Sequence, residues 1–319
     1  MRNETAGPSD PPAYQSSQET ELAEARRDVL TPVAIIVITF NEEANLDAAL
    51  RSVCNWAREV YVVDSFSTDG TREVAASYPC KYHQNRFENF SQQWNWALDQ
   101  LPLESNWVFF LDADEWMPRE LCDEISRVIA SNPKENGFYL RWRFIWMGKW
   151  IRRGYYPKWL LRLVRRETAR WEQREINPHL MVTGPTGRLK NDFIHDNQKG
   201  IADWTAKHIV YARREAEQLL KSGTQPEYLN ARFWGTQAQR VRWLRLKVYN
   251  RLPPLVRPML YFFYRLILRG GFLDGWRAII YHFLHALWCP LLIDLFYLEM
   301  RANASGSRKL NGTNDSRTL

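Results

Sequence analysis

VAIIVITFNEEANLDAALRSV, residues 33–53, decides the architecture. Its first eight residues form an unbroken apolar run of strand length, which suits a strand buried on both faces rather than one with a wet side. Leu46, Leu50 and Val53 then fall at helical spacing. The unit recurs downstream. EVYVVD (59–64) is a second strand, and SFSTDGTREVAASY (65–78) makes a turn at Asp69-Gly70 and a helix. A third crossing runs from Lys81 through FSQQWNWALDQL (90–101), and WVFFLDADEW (107–116) is a strand ending in acids. Strands alternating with helices predict an α/β fold with a doubly wound, mostly parallel sheet.

Such sheets bind ligands beyond the carboxyl ends of their strands, where strand order reverses. The polar residues at those ends are Thr39, Asn41 and Glu42, then Asp64 and Ser65, then Asp112 and Asp114. A single carboxylate there is readily a helix cap, but acids recur at successive strand ends. Asp112 and Asp114 lie two apart, and extended geometry would turn both to one side. Two hard oxygen ligands suit Mg²⁺ or Mn²⁺ shared with a substrate diphosphate. Competing nucleotide sites lack their signatures. There is no G-x-G-x-x-G after the first strand, no P-loop, and no G-x-S-x-G nucleophile elbow.

The 319 residues carry 43 Lys or Arg against 36 Asp or Glu, a formal charge of +7, and 45% hydrophobic residues, which excludes a wholly disordered chain. Aromatics reach 14%, with 15 Trp, a content suited to sugars, lipid headgroups or stacked bases. The charge is concentrated. Residues 141–190 hold 13 Lys or Arg against Glu167, Glu172 and Glu175, and residues 231–251 add six basic residues and no acid. An anionic partner or an anionic membrane surface is expected. Four scattered cysteines form no CxxC pair and fit a reducing compartment. The N-terminal stretch lacks the apolar core of a secretory signal, so a cytoplasmic location is expected.

From Leu255 to Met300 apolar density rises, yet the longest run without charge, AIIYHFLHALWCPLLI (278–293), has 16 residues. That falls short of the roughly 20 a spanning helix needs. Arg265, Arg269, Asp274 and Arg277 interspersed with aromatics suit a segment lying in the headgroup region. The expected organisation is a disordered tail (1–30), a catalytic domain (31–225), a basic and amphipathic helical, membrane-associating region (226–302) and a second disordered tail (303–319).

ITFNEEANLDAAL (38–50), VVDSFSTDGT (62–71), QQWNWAL (92–98) and FFLDADEW (109–116), in this order and spacing, resemble the donor-binding half of the family 2 glycosyltransferases of GT-A fold. YYPKWLLRLVRR (155–166), GPTGRL (184–189) and the later His195-Asp196 are similar to the lipopolysaccharide-core branch, and YFFYRLILRGGFLDGW (261–276) resembles the tail of envelope polysaccharide transferases. The resemblance implies an inverting transfer from a nucleotide-diphosphate sugar to a lipid-linked or envelope glycan acceptor. It implies that Thr39, Asn41 and Glu42 line the nucleotide pocket, that Asp64 bonds the base with Ser65 beside it, and that Asn95 approaches the donor. Asp112 would face the ribose or metal, and Asp114 would bind the ion. The branch's V-H-E stretch, which supplies the catalytic carboxylate, aligns with REINPHL (174–180) and sets Pro178 at the Glu position. Glu175 is then the expected base, with His179 next. Trp94 and Trp96 read as core, and His195 and Asp196 as an acceptor edge or as each other's partners. The rival from another class is a noncatalytic binder of sugar nucleotides or nucleic acid. It is disfavoured because acidic strand ends repel phosphate without a metal and no RNA-binding aromatic motif is present.

Overall fold

The structure, a computed structural model, describes residues 30–173, 178–221 and 231–312. The opening run forms β1 (Thr31–Thr39), buried from Val33 to Thr39. It lies between β2 (Ala57–Asp64) and β4 (Trp107–Asp112), parallel to both, and β3 (Lys81–Gln84) extends the sheet beyond β2. Alternation divides the core in two. Val33, Ile35 and Val37 pack with α1 (Leu46–Val53) and α4 (Arg119–Ala130). Ala34, Ile36 and Ile38 face Trp94, Ala97 and Leu98 of α3 (Phe90–Gln100). The short α2 (Thr71–Ala76) joins β2 to β3.

The strand order is β3-β2-β1-β4-β8-β6-β11-β5. β6 (Gly137–Trp146) and β11 (Thr186–His195) run with the first four strands, whereas β8 (Lys158–Arg165) and β5 (Glu115–Trp116) run against them. The sheet is therefore mostly parallel and wound on both faces, as expected, but continues well past the four strands legible in the sequence. A hairpin turn at Met147 and Gly148, both at positive φ, returns β6 into β7 (Lys149–Trp150). β9 (Ala169–Trp171) and β10 (Leu180–Val182) form a separate antiparallel pair.

After β11 the chain forms α5 (Gly200–Lys221). Beyond it lie α6 (Gln237–Lys247), α7 (Val256–Phe263), α8 (Trp276–His282) and α9 (Cys289–Gly312), with π turns at Tyr264–Leu268 and Phe283–Trp288. This part is joined to the sheet through a third core in which Phe144, Trp146 and Ile151 meet Trp204, Ala278 and Tyr281. Buried Arg257 and Asp294 pair to clamp α7 to α9. The continuous helix Trp276–Ala304 is long and apolar enough to cross a membrane, because helical residues on either side lengthen the 16-residue run.

Candidate active site

Register brings the predicted strand ends into one row. Thr39 pairs with Asp64, Asp64 with Gln84, and Ile38 with Asp112. The chain winds from β1 to β2 and β3 on one side and then to β4 on the other, so strand order reverses between Thr39 and Asp112. That is where a doubly wound sheet opens a crevice.

Most of the first two strand ends is occupied with holding loops. Asp64 is fully buried, accepting from Thr39 Oγ1 at 2.9 Å and from the backbone N–H and hydroxyl of Ser67. Burial disfavours its charge, but these donors outweigh it and hold the carboxyl below its usual range. Ser65 is buried and accepts from Gln93 Nε2 at 3.2 Å. Asn41, at φ +53°, accepts from the Thr68 N–H at 2.8 Å. Gly70 donates to Glu43 Oε2 at 2.7 Å, and a Cβ there would sit 2.8 Å from that oxygen. A side chain there would push the Glu43 carboxylate aside. Glu42 reaches the other way, to Asn45 Nδ2 and Lys199 Nζ, both at 2.7 Å. Burial raises its pKa, opposed by those two partners.

The acid pair differs in one respect from the expected geometry. β4 stops at Asp112, Ala113 and Asp114 form a turn, and Glu115 opens β5. The two carboxylates are thus not successive same-side positions of one extended strand, because the chain must turn to pair with β11. Half-exposed Asp112 meets Arg162 at 2.9 Å, and the same buried guanidinium meets Glu115 at 2.8 Å. Glu115 is sealed in, and burial, with Asp112 and Asp114 nearby, raises its pKa against the Arg162 charge.

Asp114 sits under the end of β11. His195 pairs with Glu115 in the sheet, and the Asp196 N–H donates to the Asp114 carbonyl at 2.9 Å. His195 Nδ1 comes to 3.3 Å from Asp114 Oδ1, and Asn197 Nδ2 to 3.2 Å from Oδ2. His195 therefore faces Asp114 rather than only its neighbour Asp196. Burial works against the Asp114 charge, but His195 and Lys207 more than offset it and hold the carboxyl well below its usual range. His195 Nδ1 is buried, and this carboxylate is the one polar group facing it among the described residues. Two ligands at right angles on an ion with bonds of about 2.1 Å lie roughly 3 Å apart, close to this spacing. Among the described residues no three His, Cys, Asp or Glu converge on a metal position. An ion here would need a ligand's oxygens as well.

Asn95, expected to approach the donor, has its side-chain amide engaged with backbone. Its amide donates to the Trp171 carbonyl at 3.0 Å and accepts from the Trp171 N–H at 2.9 Å, which fastens the β9–β10 hairpin to α3. Trp94 is core as expected, stacked on Trp171. Glu175, the expected base, lies outside the described residues. His179 Nδ1 stands 3.4 Å from Glu172 Oε2, and Arg242 of α6 meets both Glu172 oxygens at 2.8 and 3.0 Å. Burial disfavours the Glu172 charge, but His179 and Arg242 outweigh it and hold the carboxyl well below its usual range.

Sequence reasoning missed Arg162, Asn197, Lys199, Lys207 and the Glu172–Arg242 pair, and it undervalued His195. The signal for His195, Asn197 and Lys199 was the compact HDNQK stretch (195–199) after a strand. Arg162 and Arg242 were hidden in runs of basic residues.

Among solved structures, S. aureus TarS 1-349 is similar at TM-score 0.42 and 16% identity, covering 85% of this chain and 91% of that one. An uncharacterized glycosyltransferase of Rickettsia bellii is 36% identical over 103 residues, 32% of this chain and 34% of that protein. The lipopolysaccharide core biosynthesis glycosyltransferase LpsC of Rhizobium meliloti is 26% identical over 269 residues, 80% of this chain and 90% of that protein. The family described as Glycosyl transferase family 2 matches residues 34–191, from β1 into β11. With that match running from β1 into β11, and its relatives named as glycosyltransferases, the chain is a glycosyltransferase that carries a family 2 domain.

Proposed function

We propose that the chain transfers a sugar, with inversion and with help from Mg²⁺ or Mn²⁺, from a nucleotide diphosphate to a lipid-linked or cell-envelope glycan. In this reading residues 31–225 form the catalytic unit and 226–302 hold it at the inner face of the cytoplasmic membrane. The observation that supports the reading is the buried pair of His195 Nδ1 and ionised Asp114 at the point where strand order reverses. The name of the Rhizobium meliloti relative supports an envelope acceptor.

Asp114 and His195 would hold the ion together with diphosphate oxygens, and Asp112, paired with Arg162, would face the ribose or the ion. When bound, it offsets the charge of the departing diphosphate. Lys199 and Lys207 add positive charge on the same side, since both act on the acids of this groove. Thr39, Asn41 and Glu42 would line the nucleotide, with Asp64 and Ser65 shaping the loop against which the base rests. The acceptor hydroxyl must lose a proton as it attacks the anomeric carbon. Glu175 or His179 would take it. For His179, Glu172 orients the ring as a carboxylate orients a general-base histidine.

Thermal midpoints measured with a panel of sugar nucleotides, with and without Mg²⁺ or Mn²⁺, test the site. One sugar nucleotide should stabilise the protein only when the ion is present, and Asp114→Asn should abolish that shift. An undiminished metal-dependent shift in Asp114→Asn would refute the assignment. Glu175→Gln and His179→Gln should each keep the shift, and the one that loses turnover identifies the base.

A further inference from the structure

The β6–β7 hairpin and the turn before α8 enclose a shallow cleft of about 230 Å³, lined by Lys149, Trp150, Arg152, Arg153, Leu273 and Asp274. None of these residues belongs to the strand-end groove. The one acid is already engaged. Buried Asp274 accepts from the backbone N–H groups of Arg152 and Arg153 at 2.6 and 2.7 Å, and from the Arg153 guanidinium at 3.0 Å. Exposed Lys149 and Arg152 have no acidic partner among the described residues. Arg152 instead lies over the Trp150 ring at 4.6 Å, where Arg143 approaches to 4.8 Å. The cleft thus carries uncompensated positive charge on a braced frame.

Its rim is apolar. Leu268 is 78% exposed, Leu273 59% and Trp276 58%, with Phe272 beside them. From this turn two stripes of exposed side chains extend at helical spacing. Val256, Met259, Leu260, Phe263 and Ile267 form one, and Ile279, Ile280 and Phe283 the other. Water solvates such a surface poorly, and a contiguous one marks a membrane or partner site. Unpaired cations at the edge of an apolar face match a bilayer boundary, where phosphates lie just outside acyl chains.

The geometry points to this cleft as a binding site for the phosphate headgroup of an anionic phospholipid, which would fix how the enzyme sits on the bilayer. The inference rests on the membrane attachment proposed above and adds a site to it, because an apolar face alone would accept a neutral bilayer equally well.

Full-length protein is sedimented with phosphatidylcholine vesicles and with vesicles in which one third of the lipid is phosphatidylglycerol. Wild type should bind both and prefer the anionic ones. Lys149→Ala with Arg152→Ala should lose roughly thirtyfold in affinity for the anionic vesicles, from about fivefold per basic residue near the surface. Its binding to phosphatidylcholine and its thermal midpoint should stay unchanged. Removing two exposed charges on α4, Arg119→Ala with Arg127→Ala, should leave both affinities as in wild type. No loss in the cleft variant overturns the site, and an equal loss in the α4 variant overturns it in favour of diffuse attraction. Stabilisation by inorganic phosphate alone, dependent on Lys149, would make it a free-phosphate site and overturn the lipid assignment. Failure to bind either vesicle overturns membrane attachment itself, a result distinct from binding both without preference.

Discussion

One guanidinium, that of Arg162, stands between the acidic turn and collapse of its charge balance. It is buried, meets Asp112 and Glu115, and donates to the Phe110 carbonyl. Removing one member of a buried ionic cluster leaves the others uncompensated, at a cost of about 3–5 kcal/mol. Arg162→Met should lower the urea-unfolding free energy by that much, and adding Glu115→Gln should restore a large share. If the double variant is as unstable as the single, the cost is lost packing rather than charge. A second residue-scale prediction concerns acid. The folded-state pKa of Glu172 is depressed, so its stabilising contribution is complete above the ordinary value of 4.5 and is lost as pH falls below it. The stability gap between wild type and Glu172→Gln should therefore be constant near neutrality and narrow below about pH 4.5. A gap independent of pH would show that the Glu172 charge contributes nothing. Neither residue was legible in the sequence. Arg162 and Arg242 are two among many arginines, and only the fold singles out those facing a buried acid.

At the scale of elements, the parallel half of the sheet could be read because β1, β2 and β4 are each a buried run, mostly apolar, closed by a polar end. β6, β8 and β11 could not, since their sequences, GFYLRWRFIW, KWLLRLVR and TGRLKNDFIH, interleave arginine and lysine with the apolar positions. Those charges are tolerated because the arginines find partners across strands: Arg141 and Arg143 both reach buried Asp192, at 2.7 and 2.8 Å. The pairing is nonlocal and leaves no periodic trace. Asn95 shows the same limit from the other side. Its place on α3 was readable, but its hydrogen bonds to Trp171 depend on a hairpin 76 residues away. Asn95→Ala would strip partners from the N–H and the carbonyl of Trp171, at roughly 1–3 kcal/mol for each group left unsatisfied. Unfolding should be easier by such an amount while the dissociation constant for the sugar nucleotide stays put. A weakened donor constant with unchanged stability would return Asn95 to the donor site.

For the whole molecule, the question is what the apolar surface of α7 and α8 faces. The sequence showed that the C-terminal part is apolar and short of a clean span, and read it as a helical, membrane-associating extension. The third core joins it to the sheet through Phe144, Trp146 and Trp204, and the Arg257–Asp294 pair would be costly to drag into hydrocarbon. The proposed attachment, a face lying on the bilayer rather than crossing it, would account for both the paired charges within and the exposed side chains without. Each large apolar side chain withdrawn from water contributes roughly 1.5–3 kcal/mol when fully buried. Replacing Leu268, Phe272 and Trp276 together by Ser should therefore release the enzyme from membranes in a high-salt wash that leaves wild type bound. Because these positions are exposed, the thermal midpoint of the purified triple variant should match that of wild type. Retention of the variant after high salt, with release of neither protein by alkaline carbonate, would mean that the helix Trp276–Ala304 crosses the bilayer, and the interfacial reading would have to be given up.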